Sequence, residues 1–143
     1  MILAPSIQPA LLALANDAFA RLREASFDGV GITRAGYDRS ETEAHDIIAA
    51  MARDEGLVTA RDAAANLGLS IEGREPDLPC IICGSHLDSV PQGGNFDDAA
   101  GVIAGLVVAS SLKRQGVLPP RTLKIYGIRG EESAWFGQAY LGS

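Results

Sequence analysis

Pro79-Cys80-Ile81-Ile82-Cys83-Gly84-Ser85-His86-Leu87-Asp88-Ser89-Val90 is an apolar run that closes on a glycine and then releases a histidine and an aspartate. A few branched, apolar residues bounded by turn formers predict a short buried strand. His86 and Asp88 are two apart, so extended backbone points them the same way. The C-terminal ends of strands in open α/β sheets are where ligands bind. A neutral imidazole there is a ready metal ligand, and a neighbouring carboxylate fixes its tautomer by accepting the other N–H. Pro91-Gln92-Gly93-Gly94 then turns the chain and delivers Asp97, whose two oxygens can bridge two cations.

Downstream, residues 98–115 are apolar nearly all round and rich in small side chains, which predicts a buried helix packed closely on the sheet. Asp97 or Asp98 suits its start, and Lys113 and Arg114 suit its end. Thr122 to Ile128 reads as a second strand, and strand–helix–strand favours a parallel pair. Arg129-Gly130-Glu131-Glu132 follows at once, so a second acidic pair leaves the sheet on the same edge as His86. The expected fold is α/β, a mostly parallel sheet flanked by helices, with residues 1–143 forming part of one metal-dependent catalytic domain.

Upstream, Pro9 to Glu24 repeats Leu and Phe near a 3.6 period and reads as a helix. Gly29 to Arg39 reads as a loop that leaves Arg34 and Tyr37 exposed or half-buried. Ser40 with Glu43 fits a capping box opening a second helix, in which His45 reads as a solvated surface histidine. Leu57 to Arg61 and Asn66 to Glu72 read as two short strands. Cys80 and Cys83 would face opposite sides of a strand and read as two buried, inert thiols.

The chain has 143 residues, 47% of them hydrophobic and 21% charged, with net charge −6, as a folded domain with a real core requires. No basic block interleaved with aromatics is present, which argues against nucleic acid. No apolar run reaches the roughly 20 residues that span a bilayer. Met1-Ile2-Leu3-Ala4-Pro5 lacks a charged n-region and a long h-region, so no signal peptide is read and a cytoplasmic location is expected.

A histidine with several carboxylates suits Zn²⁺, Mn²⁺ or Co²⁺, and two such ions can share one carboxylate and one water. Of two adjacent glutamates, one can bind metal while the other moves protons. From the residues alone, which glutamate does which stays open. Three ligands are few for two metals, since each catalytic zinc normally takes about three.

Gly84-Ser-His-Leu-Asp-Ser-Val-Pro-Gln-Gly-Gly-Asn-Phe-Asp and Arg129-Gly-Glu-Glu-Ser-Ala-Trp-Phe-Gly closely resemble the M20 metallopeptidase family. More narrowly they resemble its hydantoinase/carbamoylase branch, as do Gly31-Ile-Thr-Arg-Ala-Gly-Tyr and Asn66-Leu67. The resemblance implies that His86 binds a first metal, Asp97 bridges two divalent ions, Glu132 binds the second, Glu131 is the general base and Asp88 orients His86. It assigns no substrate-binding residue. It implies hydrolysis of a C–N bond in small N-carbamoyl or ureido amino-acid-like substrates. It also implies enzymes a few hundred residues long, with further histidine ligands and a lid and dimerisation domain beyond the segments matched here. The chain is therefore expected to be an N-terminal fragment, inactive by itself, with its metals partial or absent and with apolar surface that favours self-association. Two departures stand out: Asp98 and Ala65 occupy positions where this branch usually has glycine. Other M20 activities (dipeptidase, N-acyl-amino-acid deacylase) share the metal motifs, and a non-catalytic binding domain is the reading of another class.

Overall fold

A computed structural model describes residues 8–143, so the reading of Met1–Pro5 lies outside the described residues. Helix α1 spans Gln8–Ser26 and α2 spans Arg39–Asp54. Strands β1 (Val58–Arg61), β2 (Leu67–Ile71) and β3 (Ile81–His86) follow, then α3 (Ala99–Arg114), β4 (Leu123–Ile128) and the short α4 (Ser133–Phe136). The sheet order is β1-β2-β4-β3.

The α/β architecture with a helix-flanked sheet is as expected, but the sheet is mixed rather than mostly parallel. β3 and β4 pair in parallel, with His86 beside Ile128. β1–β2 and β2–β4 are antiparallel. The β1–β2 link is a five-residue turn, Asp62 to Asn66, too short for the crossover that a parallel pair needs.

One core joins Ala18 and Leu22 of α1, Ala44 and Ile48 of α2, and Val102, Ile103 and Leu106 of α3 to Leu67, Leu69 and Ile125 of the sheet. Alternation puts Leu67, Leu69 and Ile71 on the packed face. Each fully buried side chain of this kind contributes roughly 1.5–3 kcal/mol. The small residues of α3 do what their size suggests. A Cβ at Gly105 would lie 2.5 Å from Ile125, and one at Gly101 would lie 2.7 Å from Ser85. The helix therefore sits down on β3 and β4 and aims its N-terminus at the His86 end.

Several expectations fail for tertiary reasons. β3 is an edge strand among the described residues, with Ile81 48% and Ile82 62% exposed, so it is not a buried strand. Cys83 is exposed and Cys80 half-exposed, and both are free thiols rather than buried ones. Arg34 and His45 are fully buried instead of surface residues. The capping box does not form: α2 starts at Arg39, and the Ser40 hydroxyl accepts the Ala35 N–H at 3.1 Å. Among the described residues no helix is long and apolar enough to cross a membrane.

Candidate metal centre

The parallel pairing of β3 with β4 ends both strands on one edge, and the loops beyond them carry the candidate site residues. His86 is the last residue of β3 and is buried. Its Nδ1 lies 3.1 Å from Asp88 Oδ1. That leaves Nε2 facing the acidic loops, 2.8 Å from Asp98 Oδ2 and 3.3 Å from Glu131 Oε2. Donor atoms of His86, Glu131 and Glu132 all lie within 4.8 Å of one another, so the three can hold one metal ion.

Asp88 does more than orient the histidine. It is fully buried, and while Oδ1 faces His86 the same oxygen accepts the Glu131 N–H at 3.1 Å and Oδ2 accepts the Glu132 N–H at 2.9 Å. One carboxylate thus ties the histidine to both glutamates. Burial works against the Asp88 charge, but the bonds from His86, Glu132 and Glu131 outweigh it and hold its pKa below the ordinary carboxylate value. Burial likewise disfavours protonated His86, yet the Asp88 bond and the charges of Asp98, Asp88 and Glu131 push it up to about 9. Burial and the charges of Glu131, Asp88 and Asp97 raise Glu132 against the opposing pull of His86. This crowding of negative charge is what a dication would relieve.

Of the expected residues, the structure brings His86, Asp88, Glu131 and Glu132 together. Asp97 is exposed and stands outside the three-residue metal group. Its neighbour Asp98 is the one that meets His86, reaching it from a left-handed backbone (φ 51°) with no capping bond to α3. Ala65 also sits at positive φ, 64°. Both positions where the resembling branch has glycine therefore have the backbone that glycine adopts without strain.

The loop after β3 is stapled to the segment before α2. Ile32 and Gly93 exchange backbone bonds at 3.0 and 2.8 Å. The Ser89 N–H donates to Arg34 O, and the Arg34 N–H donates to Ser89 Oγ, both at 2.9 Å. The buried Arg34 guanidinium donates from Nε to Leu87 O. Burial lowers the Arg34 pKa, while Asp88, Asp97 and Glu41 oppose that. From α1, the Phe19 carbonyl accepts Asn95 Nδ2 at 3.2 Å, and the Phe19 ring meets Phe96 edge-on. Trp135 Nε1 donates to Ser89 O at 2.8 Å and joins the two loops.

Beside the centre, a cavity of about 490 Å³ is lined by His86, Asp98, Glu131, Tyr126, Ile128 and Tyr140 among others. Glu41 and Asn66 went unnoticed as site residues, although both touch the Glu131–Glu132 loop. Glu41 could have been found, because it shares the i, i+3, i+4, i+7 stripe of α2 with Ala44, His45 and Ile48.

A model of Peptidase family M28 matches residues 66–143. An N-carbamoyl-L-amino acid amidohydrolase of Geobacillus stearothermophilus is 38% identical over 79% of this chain, which spans 28% of that protein. A ureidoglycolate hydrolase of Arabidopsis thaliana is 34% identical over 78% of this chain and is covered to 24%. The crystal structure of a hydantoinase/carbamoylase family amidase from Burkholderia ambifaria superposes with a TM-score of 0.79 at 31% identity, over 90% of this chain and 33% of that one. The chain thus spans between about a quarter and a third of the length of these relatives.

Proposed function

The chain belongs to Peptidase family M28, and from that premise we propose that it carries part of the metal centre of an amidohydrolase acting on C–N bonds other than peptide bonds. The narrower placement, in the hydantoinase/carbamoylase branch of the related M20 family, is part of the same reading. So are the substrate class, small N-carbamoyl or ureido amino-acid-like molecules, and the assignment of residues 1–143 to the N-terminal portion of the catalytic domain. The relatives named for carbamoyl amino acids and ureidoglycolate support it. The observation that carries it is the convergence of His86, Glu131 and Glu132 within 4.8 Å at the end of a parallel strand pair.

The donor set fits a borderline dication: one imidazole nitrogen with its second nitrogen anchored on a buried carboxylate, and two carboxylates. His86 and Glu132 would hold metal, Asp97 would bridge to a second ion, and Glu131 would stay free. Bound divalent metal would polarise the scissile carbonyl and acidify a water. Asp88 holds the His86 Nδ1 proton, so that Nε2 would be the nitrogen that gives up its proton to take metal. Glu131 takes the proton of the attacking water and passes it to the leaving nitrogen. The loop after β3 is held on residues 32–34, and the charge of Asp97 is felt at Glu132, which supports reading Asp97 with the same centre.

The test is calorimetric titration of the chain with Zn²⁺ and Mn²⁺. Saturable binding that is lost in His86→Ala and in Glu132→Gln is the expected result. Asp97→Ala, which should bind fewer ions per chain, tests the bridging role. Binding that survives His86→Ala would refute the assignment.

A further inference from the structure

Four consecutive backbone amides, those of residues 129–132, are each accepted by a side chain from elsewhere in the chain. Asn66 Oδ1 takes the Arg129 N–H at 2.8 Å. Glu41 Oε1 takes the Gly130 N–H at 2.9 Å. Asp88 takes those of Glu131 and Glu132. The segment lies between β4 and α4, so no ladder or helix supplies these partners. The place of the acidic pair is set by three side chains that lie between 43 and 89 positions away in sequence.

Glu41 stands out among them. It is fully buried, and both of its oxygens are engaged. Oε2 accepts the Arg129 Nε–H at 2.8 Å and the Tyr37 N–H at 2.6 Å, while Oε1 holds Gly130. A buried carboxylate is costly unless it is paired and hydrogen-bonded. Here every bond it makes ends on the residues just before Glu131 or on the backbone of Tyr37, whose ring packs against them. The Arg129 guanidinium lies 5.0 Å over the Tyr37 ring. Gly130 has φ 60°, and a Cβ on it would lie 2.6 Å from that ring. Residues 129 and 130 therefore have almost no freedom, and the direction in which the chain enters Glu131 follows from them.

We propose that Glu41 is a positioning residue for the metal centre. By clamping Arg129 and Gly130 it sets where Glu131 and Glu132 present their carboxylates to His86. This rests on reading that acidic pair as the functional one. The competing description is an ion pair that merely fastens α2 to the end of β4. The two differ in where damage appears when Glu41 changes.

The experiment is amide hydrogen exchange by NMR on the 143-residue chain, with Zn²⁺ titration in parallel. Wild type is compared with Glu41→Gln, which keeps size and loses charge, and with Glu41→Asp, which keeps charge and loses reach. Glu55→Gln, remote from the site, is the control. The expected result for Glu41→Gln is wild-type protection at the core amides of α2 and β4, with loss of protection at Gly130, Glu131 and Glu132. Zn²⁺ affinity should fall about 10–100-fold, the usual effect of losing an outer partner of a metal site. Glu41→Asp should show the same pattern. Loss confined to Gly130 would overturn the proposal, as would uniform loss across β4 or unfolding of both variants, since a positioning role leaves the core standing. Unchanged Zn²⁺ affinity in a folded variant would overturn it too. If the wild-type chain takes up no Zn²⁺, the function proposed above fails, while the exchange pattern still decides this inference.

Discussion

The loops that follow β3 and β4 meet at one edge of the sheet but differ in what takes up their backbone amides. The loop after β3 is tied to residues 32–34 by backbone pairing, Ile32 with Gly93 and the Ser89 N–H to Arg34 O, to which Ser89 Oγ and the Arg34 guanidinium add side-chain bonds. In the loop after β4 the amides of residues 129–132 all go to side chains, those of Asn66, Glu41 and Asp88, while its Gly130 and Glu131 carbonyls accept the Leu141 and Tyr140 N–H groups. A backbone-held loop tolerates most substitutions that spare its shape. A side-chain-held loop depends on a few buried polar atoms, and removing one leaves donors stranded. The centre thus couples a tolerant arm, which carries Asp97 and Asp98, to a brittle one, which carries Glu131 and Glu132.

Asp88 belongs to both arms, so its loss should erase the distinction. Asp88→Ala strands the His86 ring and two amides in a buried setting, and we expect about 3–5 kcal/mol of destabilisation in urea unfolding. A loss below about 1 kcal/mol would show that water replaces the carboxylate without difficulty. The backbone pairing of the more tolerant arm should break through its shape. A Cβ at Gly31 would lie 2.6 Å from the backbone of Gln92, so Gly31→Ala should cost about 1–3 kcal/mol. If it is silent, the arm is looser than its ladder suggests.

Acid should find the brittle arm. His45 packs beneath Gly127 of β4, with its Nε2 3.9 Å from Glu41 and no hydrogen-bond partner on either ring nitrogen. Burial first, then the charges of Arg129 and Arg61 against the opposing charge of Asp88, lowers its pKa from 6.5 to about 3. Between those values the unfolded chain binds a proton that the folded chain refuses, so stability falls as pH falls. The His45 contribution is about 1.4 kcal/mol per pH unit. Denaturation series from pH 7 down to pH 4 should show this slope in wild type and a shallower one in His45→Leu, which also removes two unpartnered buried nitrogens. Parallel slopes would mean that water reaches the ring. The smallest effect has the opposite sign. Ala65, at φ 64° in the turn that presents Asn66 to Arg129, should give way to glycine with a gain of about 0.5–1 kcal/mol in melting experiments.

Much of this was legible from the chain. Periodicity located α1, α2 and α3, and short apolar runs located all four strands, because each signal is written within a dozen neighbouring residues. The two motifs named His86, Asp88, Glu131 and Glu132, and strand–helix–strand spacing placed both at one edge. The misreadings have a common origin. Arg34 and His45 look like surface residues by type, and only the packing of neighbouring segments shows them fully buried. Ser40 carries a capping sequence, yet its hydroxyl is taken by Ala35. Ile81 and Ile82 have the composition of a buried strand but lie at an edge.

The sequence by itself named the candidate donors and determined the β3–α3–β4 unit that carries them, since residue type and local spacing suffice for both. Tertiary structure alone decided that β2 runs antiparallel to β4, that Asp98 rather than Asp97 meets His86, and that Glu41 and Asn66 hold the acidic loop. Such contacts join residues up to 89 positions apart, and nothing in the local pattern of either partner encodes the other. They follow from the mutual packing of helices and sheet, which brings a buried carboxylate on α2 to the end of β4 and gives its oxygens the Gly130 amide and the Arg129 guanidinium as partners.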